Sequence, residues 1–84
     1  FVELPDDYEI AEIAAPRSTV GRTLKDIGLL EKYRLNVVTV IQKAENDLAH
    51  IKGIPQPEMV IEENDELVVF GKAKDLERFI SINA

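Results

Sequence analysis

The chain has no cysteine and a single histidine, His50, among its 84 residues. Without cysteine there is no disulfide framework and no thiolate metal site, so a reducing compartment is permitted. One histidine excludes paired-histidine zinc motifs and leaves one base for a serine triad, which would have to serve Ser18 or Ser81. Neither serine lies in a nucleophile-elbow sequence. The sequence therefore predicts a protein that is not an enzyme and that holds no metal.

Positive charge is also scarce, with 10 Lys and Arg against 16 Asp and Glu and a net charge of −6 at pH 7. Such a field repels a phosphate backbone, so nucleic acid is not an expected partner. No apolar run approaches the roughly 20 residues that span a bilayer, which predicts a soluble chain without direct membrane insertion. The chain opens with Phe1 and not with Met, which predicts a fragment of a longer protein.

Two stretches, residues 36–41 and 67–70, are apolar at nearly every position. Because successive side chains alternate across a strand, each stretch predicts a strand with two apolar faces. The predicted faces are Val37 with Ile41 and Val38 with Val40 in the first strand, and Leu67 with Val69 and Val68 with Phe70 in the second. Two short helices can cover one face of such a sheet, so the other face is expected to meet a second protein surface.

A helix is predicted to begin at Thr23, because Asp26 three residues later fits a capping box, and to run to about Arg34. Its apolar side chains form two neighbouring stripes. One stripe is Leu24, Ile27 and Leu30, and the other is Leu29 and Tyr33. Either one stripe meets the sheet and the other a partner, or both form a single broad core face.

The remaining pattern predicts a half-covered strand over Tyr8–Ala14, a short strand at 59–61, a polar turn at 62–65 and a closing helix at 75–82. The closing helix should bury Leu76, Phe79 and Ile80. These elements predict one domain over residues 1–84, of α+β class. Its small, mostly antiparallel sheet should carry two helices on one face and dimerise through the remaining apolar surface.

Several short motifs follow one another in a distinctive order. They are Gly21-Arg22-Thr23-Leu24, Asp26-Ile27, Leu35-Asn36-Val37-Val38, Pro55 and Asn64-Asp65-Glu66-Leu67-Val68-Val69-Phe70-Gly71 before a short helix. Their order and spacing resemble the TrkA-C domain, the C-terminal lobe of RCK proteins, over most of the chain.

The resemblance implies a dimeric regulatory module of a potassium channel, a transporter or a cation antiporter, at the cytoplasmic face of the cell membrane. The dinucleotide-binding lobe that usually precedes this domain, with its Gly-rich loop, is not in the sequence. Any nucleotide that such a lobe binds is therefore not bound by this chain.

Ktr-type members of this family bind cyclic di-AMP where two such lobes pair, which implies a ligand site here. Leu24 and Leu29 would form the apolar wall, Asn36 and the backbone of Val37 would read the base edge, and Pro55 would close the far side. One position departs from the pattern, because Leu30 stands where those members carry Arg. Lys32 or Arg34 could supply the missing cation. A ligand-free assembly module of a transporter or antiporter is the alternative function.

Each singled-out residue also has a structural interpretation. Asn36 can simply start a strand or cap a turn, and both Leu24 and Leu29 can be core residues. His50 is expected at the surface. The acidic residues Glu62, Glu63, Asp65 and Glu66 lack the EF-hand pattern and are expected to form a solvated turn. Gly21-Arg22-Thr23 lacks the Walker spacing and is expected to be a structural turn.

Overall fold

The computed structural model describes residues 2–46 and 48–84. The strands in chain order are β1 (Val2–Glu3), β2 (Tyr8–Ala14), β3 (Asn36–Lys43), β4 (Ala49–Ile51) and β5 (Glu66–Lys72). The α-helices are α1 (Leu24–Ile27), α2 (Leu29–Tyr33) and α3 (Ala73–Asn83), and 3₁₀ turns cover Pro5–Asp7 and Arg17–Thr19. Phe1, and Asp47 in the polar stretch after β3, lie outside the described residues.

The strands described form one antiparallel sheet in the order β1-β2-β5-β3-β4. The doubly apolar β5 lies at its centre, where neighbours flank it on both sides. Helices pack on one face, and the core lies between the two layers. Its main members are Ala11, Val40, Leu67 and Val69 from strands and Ile27, Leu29, Tyr33, Leu76 and Phe79 from helices. The predicted α+β class and layer arrangement are confirmed.

The alternation predicted for β5 is confirmed, because Leu67 and Val69 are buried in the core while Val68 and Phe70 are half-buried on the opposite, open face. The faces predicted for the other apolar strand, β3, are wrong. A β-bulge between Val37 and Thr39 shifts the register, so that Val37 lies opposite Val69 and Val40 opposite Leu67. Val37 and Val40 therefore share the core face, while Thr39 and Ile41 lie on the open face and Val38 is 46% exposed. A bulge adds one residue to one strand only, which interrupts the period of two.

The helix predicted from Thr23 to Arg34 is interrupted at Gly28. The Thr23 cap is confirmed, because its Oγ1 accepts a hydrogen bond from the Asp26 N–H at 3.1 Å. Gly28 then adopts a left-handed conformation with φ of 69°, which ends α1 before α2 begins. The predicted stripe that joined Leu30 to Ile27 is therefore wrong. Ile27 is buried, whereas Leu30 is 60% exposed.

Helix α3 begins two residues before its predicted start and buries Leu76 and Phe79 as predicted. The prediction for Ile80 is wrong, since that side chain is 39% exposed and Asn83 is buried instead. The Asn83 amide donates to the Tyr33 hydroxyl at 3.2 Å and to the Phe79 carbonyl at 2.9 Å, and it accepts from the Ser18 hydroxyl at 2.8 Å. A buried amide with its partners in place carries little desolvation penalty.

The short strand predicted at 59–61 is a single bridge between Val60 and Thr23. Backbone bonds nevertheless fix this segment. The Leu24 N–H donates to the Met59 carbonyl at 2.9 Å, and the Ile61 N–H donates to the Arg22 carbonyl at 2.9 Å. The loop that follows β4 is thereby tied to the start of α1.

The carboxyl groups of Glu12 and Glu66 interact on the open face of the sheet. Glu66 also pairs with Lys43, Nζ to Oε2 at 3.0 Å. The bond to Glu66 raises the pKa of Glu12, and the same bond, helped by Lys43, lowers the pKa of Glu66. The pKa of Glu12 therefore lies above that of Glu66.

This pair predicts a pH dependence that a Glu12→Gln variant should change. A raised folded-state pKa contributes stability below the unfolded-state pKa of Glu12, and that contribution is lost as the pH rises through the raised value. The amide of the variant donates the same hydrogen bond without a titrating proton. We expect the urea midpoint of the variant to exceed that of wild type at neutral pH, with the gap closing below the ordinary glutamate pKa. Parallel pH profiles for the two proteins would contradict the raised pKa of Glu12.

Candidate functional site

A cleft of about 500 Å³ opens between α1, α2, the first residues of β3 and the loop at 55–57. All five residues predicted from the sequence line it, namely Leu24, Leu29, Asn36, Val37 and Pro55. The cleft is also lined by Lys25, Leu30, Glu31, Leu35, Gln56 and Pro57. The structure thus brings the predicted residues together at one place. Their part in ligand binding stays a prediction.

The apolar wall of this cleft belongs partly to the core. Leu29 is 4% exposed and is a core residue, as its structural interpretation predicts. Leu24 and Val37 are half-buried and pack against the core from the cleft side. Side chains held this way are fixed before any ligand arrives, which lowers the entropy cost of binding.

Asn36 is the first residue of β3 and is exposed at the cleft. Within the described residues its side-chain amide makes no hydrogen bond, so it caps no turn. The amide offers one acceptor and two donor hydrogens. It is therefore available to a polar ligand edge.

Lys52 holds the loop that carries Pro55. Its ammonium group donates to Asp65 Oδ2 at 3.0 Å, to the Val60 carbonyl at 2.9 Å and to Glu62 Oε2 at 3.4 Å. Asp65 also accepts the Glu62 N–H at 2.8 Å. The solvated turn predicted at 62–65 is therefore wrong for Asp65, whose side chain is fully buried. This polar cluster ties the cleft loop to the start of β5.

Few charges reach the cleft. Lys25 and Glu31 line it, whereas the two cations proposed from sequence, Lys32 and Arg34, do not. Leu30 lies at its rim, where it adds apolar surface in place of a guanidinium. Sequence reasoning missed Lys25 because only the fold shows that its N–H donates to the Pro57 carbonyl at 2.9 Å, which joins α1 to the loop.

Arg22 and Asp26, next to the cleft, form an ion pair with Nε and Oδ2 2.7 Å apart. The hydrogen bond and charge of Arg22 lower the pKa of Asp26. Since Arg22 is engaged with Asp26 and Thr23 caps α1, the structural interpretation of Gly21-Arg22-Thr23 accounts for these side chains.

A second cavity of about 590 Å³ lies at the opposite end of β3. Its lining is mostly charged, with both signs present, and it includes Arg17, Lys43, Glu45, Glu63 and Glu66. Small-molecule sites are usually apolar with a few polar groups that fix orientation. The first cleft fits that description and this cavity does not.

The residues considered for catalysis do not line the cleft, namely Ser18, Ser81 and His50. Ser18 is held by Asn83 at 2.8 Å, and His50 is exposed on β4. Over residues 2–46 and 48–84, no three His, Cys, Asp or Glu side chains come together in a way that could hold a metal ion. In the same part of the chain, no helix has the length and apolar character needed to cross a membrane.

The sheet, its one-sided helices and the apolar cleft define a small α+β domain with a preformed pocket beside β3. The sequence matches the family described as the TrkA-C domain over residues 8–83. The chain therefore belongs to the TrkA-C family, and the resemblance noted from its motifs is confirmed.

Two curated relatives come from Bacillus subtilis (strain 168). The Ktr system potassium uptake protein A is 30% identical over 79 residues, which cover 94% of this chain and 33% of that protein. The K(+)/H(+) antiporter subunit KhtT is 32% identical over 62 residues, which cover 74% of this chain and 35% of that protein. The chain thus spans about a third of the length of the curated relatives it matches.

Among solved structures, the fold is similar to the RCK C domain of the potassium transport protein KtrA in complex with cyclic diadenosine monophosphate. The TM-score is 0.71 and the identity 25%, with 92% of this chain and 85% of that chain covered. The agreement extends over nearly the whole of both chains, so the likeness is that of one complete domain to another.

Proposed function

We propose that this chain is a ligand-sensing regulatory domain of a potassium or other cation transport system, acting as a homodimer that binds cyclic di-AMP. The observation that carries the proposal is the cleft, which all five predicted residues line. One of them, Asn36, has a side-chain amide without a hydrogen-bond partner among the described residues. The KtrA domain with cyclic di-AMP supports the choice of ligand. Membrane partners would be a channel, transporter or antiporter subunit, with the domain on the cytoplasmic side.

The cleft suits an adenine base. Leu24 and Pro55 offer apolar surface on which a flat ring can pack. Asn36 can then donate and accept toward the base, since an asparagine amide pairs with the N6 and N7 positions of adenine. A volume of about 500 Å³ lies in the range of small-ligand pockets.

The ligand also explains why two copies would pair. Cyclic di-AMP is two-fold symmetric, so a symmetric dimer can give each adenine the same contacts. The cleft is bordered by apolar side chains that a second copy would cover, because Leu30 is 60% exposed and Ile54, next to Pro55, is 82% exposed. A ligand shared by two domains favours the arrangement that binds it better, which can be transmitted to a transporter.

Calorimetry with cyclic di-AMP on the purified domain tests the proposal. We expect saturable binding by wild type and a Kd weaker by about 5- to 150-fold for Asn36→Ala, since a lost hydrogen bond to a desolvated base is worth about 1–3 kcal/mol. Asn46→Ala, in the turn after β3, is the matched control and should bind like wild type. If no heat is released at high micromolar concentration, cyclic di-AMP is excluded as the ligand. If Asn36→Ala binds as tightly as wild type, the proposed site is excluded.

A ligand-free assembly module is the second candidate, and the exposure of Ile54 favours it, since that side chain suits a subunit contact without a ligand. Sedimentation of the domain with and without cyclic di-AMP separates the two functions. A dimer whose association constant does not change with ligand would support the assembly module. A dimer strengthened by ligand would support the sensor.

A further inference from the structure

A ligand with two phosphodiester groups needs a nearby cation, and five of the ten lysines and arginines are engaged elsewhere. The engaged pairs are Arg22 with Asp26, Lys43 with Glu66, Lys52 with Asp65, Arg78 with the Tyr33 ring and Lys72 with the Tyr8 ring. Arg17 lines the second cavity, at the other end of β3.

The two cations proposed from sequence do not line the cleft. The aliphatic part of Lys32 folds back over Gly28, with its Cδ 3.2 Å from where a Cβ on that glycine would lie. Lys32 lines only a neighbouring hollow, whereas Lys25 and Glu31 line both that hollow and the cleft. Arg34 follows α2 in a left-handed conformation, and its side chain does not line the cleft.

Lys25 is the one lysine or arginine among the described residues that lines the cleft. It is exposed, and within those residues it has no ion pair. Its backbone is nevertheless fixed, since its N–H donates to the Pro57 carbonyl at 2.9 Å. It follows Leu24 directly, which places a positive charge one residue from the apolar wall.

We infer that Lys25 contacts a phosphate of the bound dinucleotide and takes the place of the cation that Leu30 cannot supply. This inference rests on the proposed function. Glu31 lines the same cleft and opposes that attraction, so the site carries one favourable and one unfavourable charge toward phosphate. The ammonium group selects for a phosphate-bearing ligand, whereas the apolar wall and Asn36 select for its base.

Calorimetry with cyclic di-AMP at low and high salt tests this inference. Since a charge-assisted hydrogen bond exceeds a neutral one, we expect Lys25→Gln to weaken Kd by about tenfold at low salt. The difference should shrink at high salt, because screening reduces the charge term. Lys25→Arg should restore binding, and Glu31→Gln should tighten Kd by about threefold because it removes a repulsion.

Lys32→Gln, on the adjacent helix, is the matched control and should bind like wild type. Thermal melting by circular dichroism establishes that Lys25→Gln is folded. Equal affinity of Lys25→Gln and wild type, or a loss independent of salt, would overturn the assignment while the proposed function stands. Failure of wild type to bind at all would instead refute the proposed function and this inference with it.

Discussion

Replacing Phe79 with alanine is expected to lower the free energy of unfolding by about 3–5 kcal/mol, the cost of truncating a buried aromatic ring. Phe79 is fully buried, and its ring meets the Tyr33 ring edge-on at 5.0 Å. Domains are stable by about 5–15 kcal/mol, so the variant should be close to unfolding. Urea denaturation followed by circular dichroism measures the loss.

The neighbouring residue provides the control. Ile80 is 39% exposed on the same helix, so Ile80→Ala should cost only about 1–2 kcal/mol. The two variants also distinguish the observed helix face from the one predicted by sequence, which buries both side chains. Equal losses would show that the orientation of α3 is wrong.

Replacing Lys52 with methionine is expected to cost about 2–4 kcal/mol, because removing one partner of a buried ion pair leaves the other without compensation. The loss is about 3–5 kcal/mol in full burial. Here the Asp65 side chain is fully buried while that of Lys52 is 15% exposed, which places the expected value toward the lower end. Urea denaturation gives the loss, and hydrogen exchange should show faster opening of residues 53–61.

Lys74→Met is the matched control, because Lys74 lies on α3 with no ion pair among the described residues, and its change should be within about 0.5 kcal/mol. If Lys52→Met is as stable as Lys74→Met, the buried pair contributes nothing. If Lys52→Met is destabilised but hydrogen exchange in residues 53–61 is unchanged, Lys52 stabilises the domain without holding the loop in place.

The two faces of β5 could be predicted because its side chains alternate regularly along the strand. Strand β2 could be predicted only from partial alternation, because Glu9 is buried while Glu12 lies on the opposite face. The faces of β3 could not, since the bulge beside Val38 depends on how β3 pairs with β5 and has no local mark. The helix break, in contrast, has a local signal in the sequence. Gly28 stands within the helical pattern, and a glycine there is a weak signal of an end.

The buried face of α3 shows a different limit. Periodicity assigns Ile80 to the core and gives no reason to bury Asn83, because it scores polarity alone. Asn83 is buried because Tyr33 and Ser18, which are distant in sequence, supply its hydrogen-bond partners. Such a network becomes visible only after the chain has folded.

The five candidate site residues came from the family resemblance, and the structure places them around one cleft. Lys25 could not be found that way, since no motif names it. Its position depends on a backbone bond between α1 and the loop, which joins Lys25 to the distant Pro57. Residues that owe their position to such contacts require the folded chain.

The left-handed turn at Gly28 has a consequence for how relatives of this domain should be compared. Leu29 faces inward and Leu30 outward only because the chain breaks its helical path between Ile27 and Leu29. A homologue with a β-branched residue at this point could keep every cleft side chain and still present them at other angles. The identity of this one achiral residue therefore bears directly on how Leu29 and Leu30 are presented at the cleft.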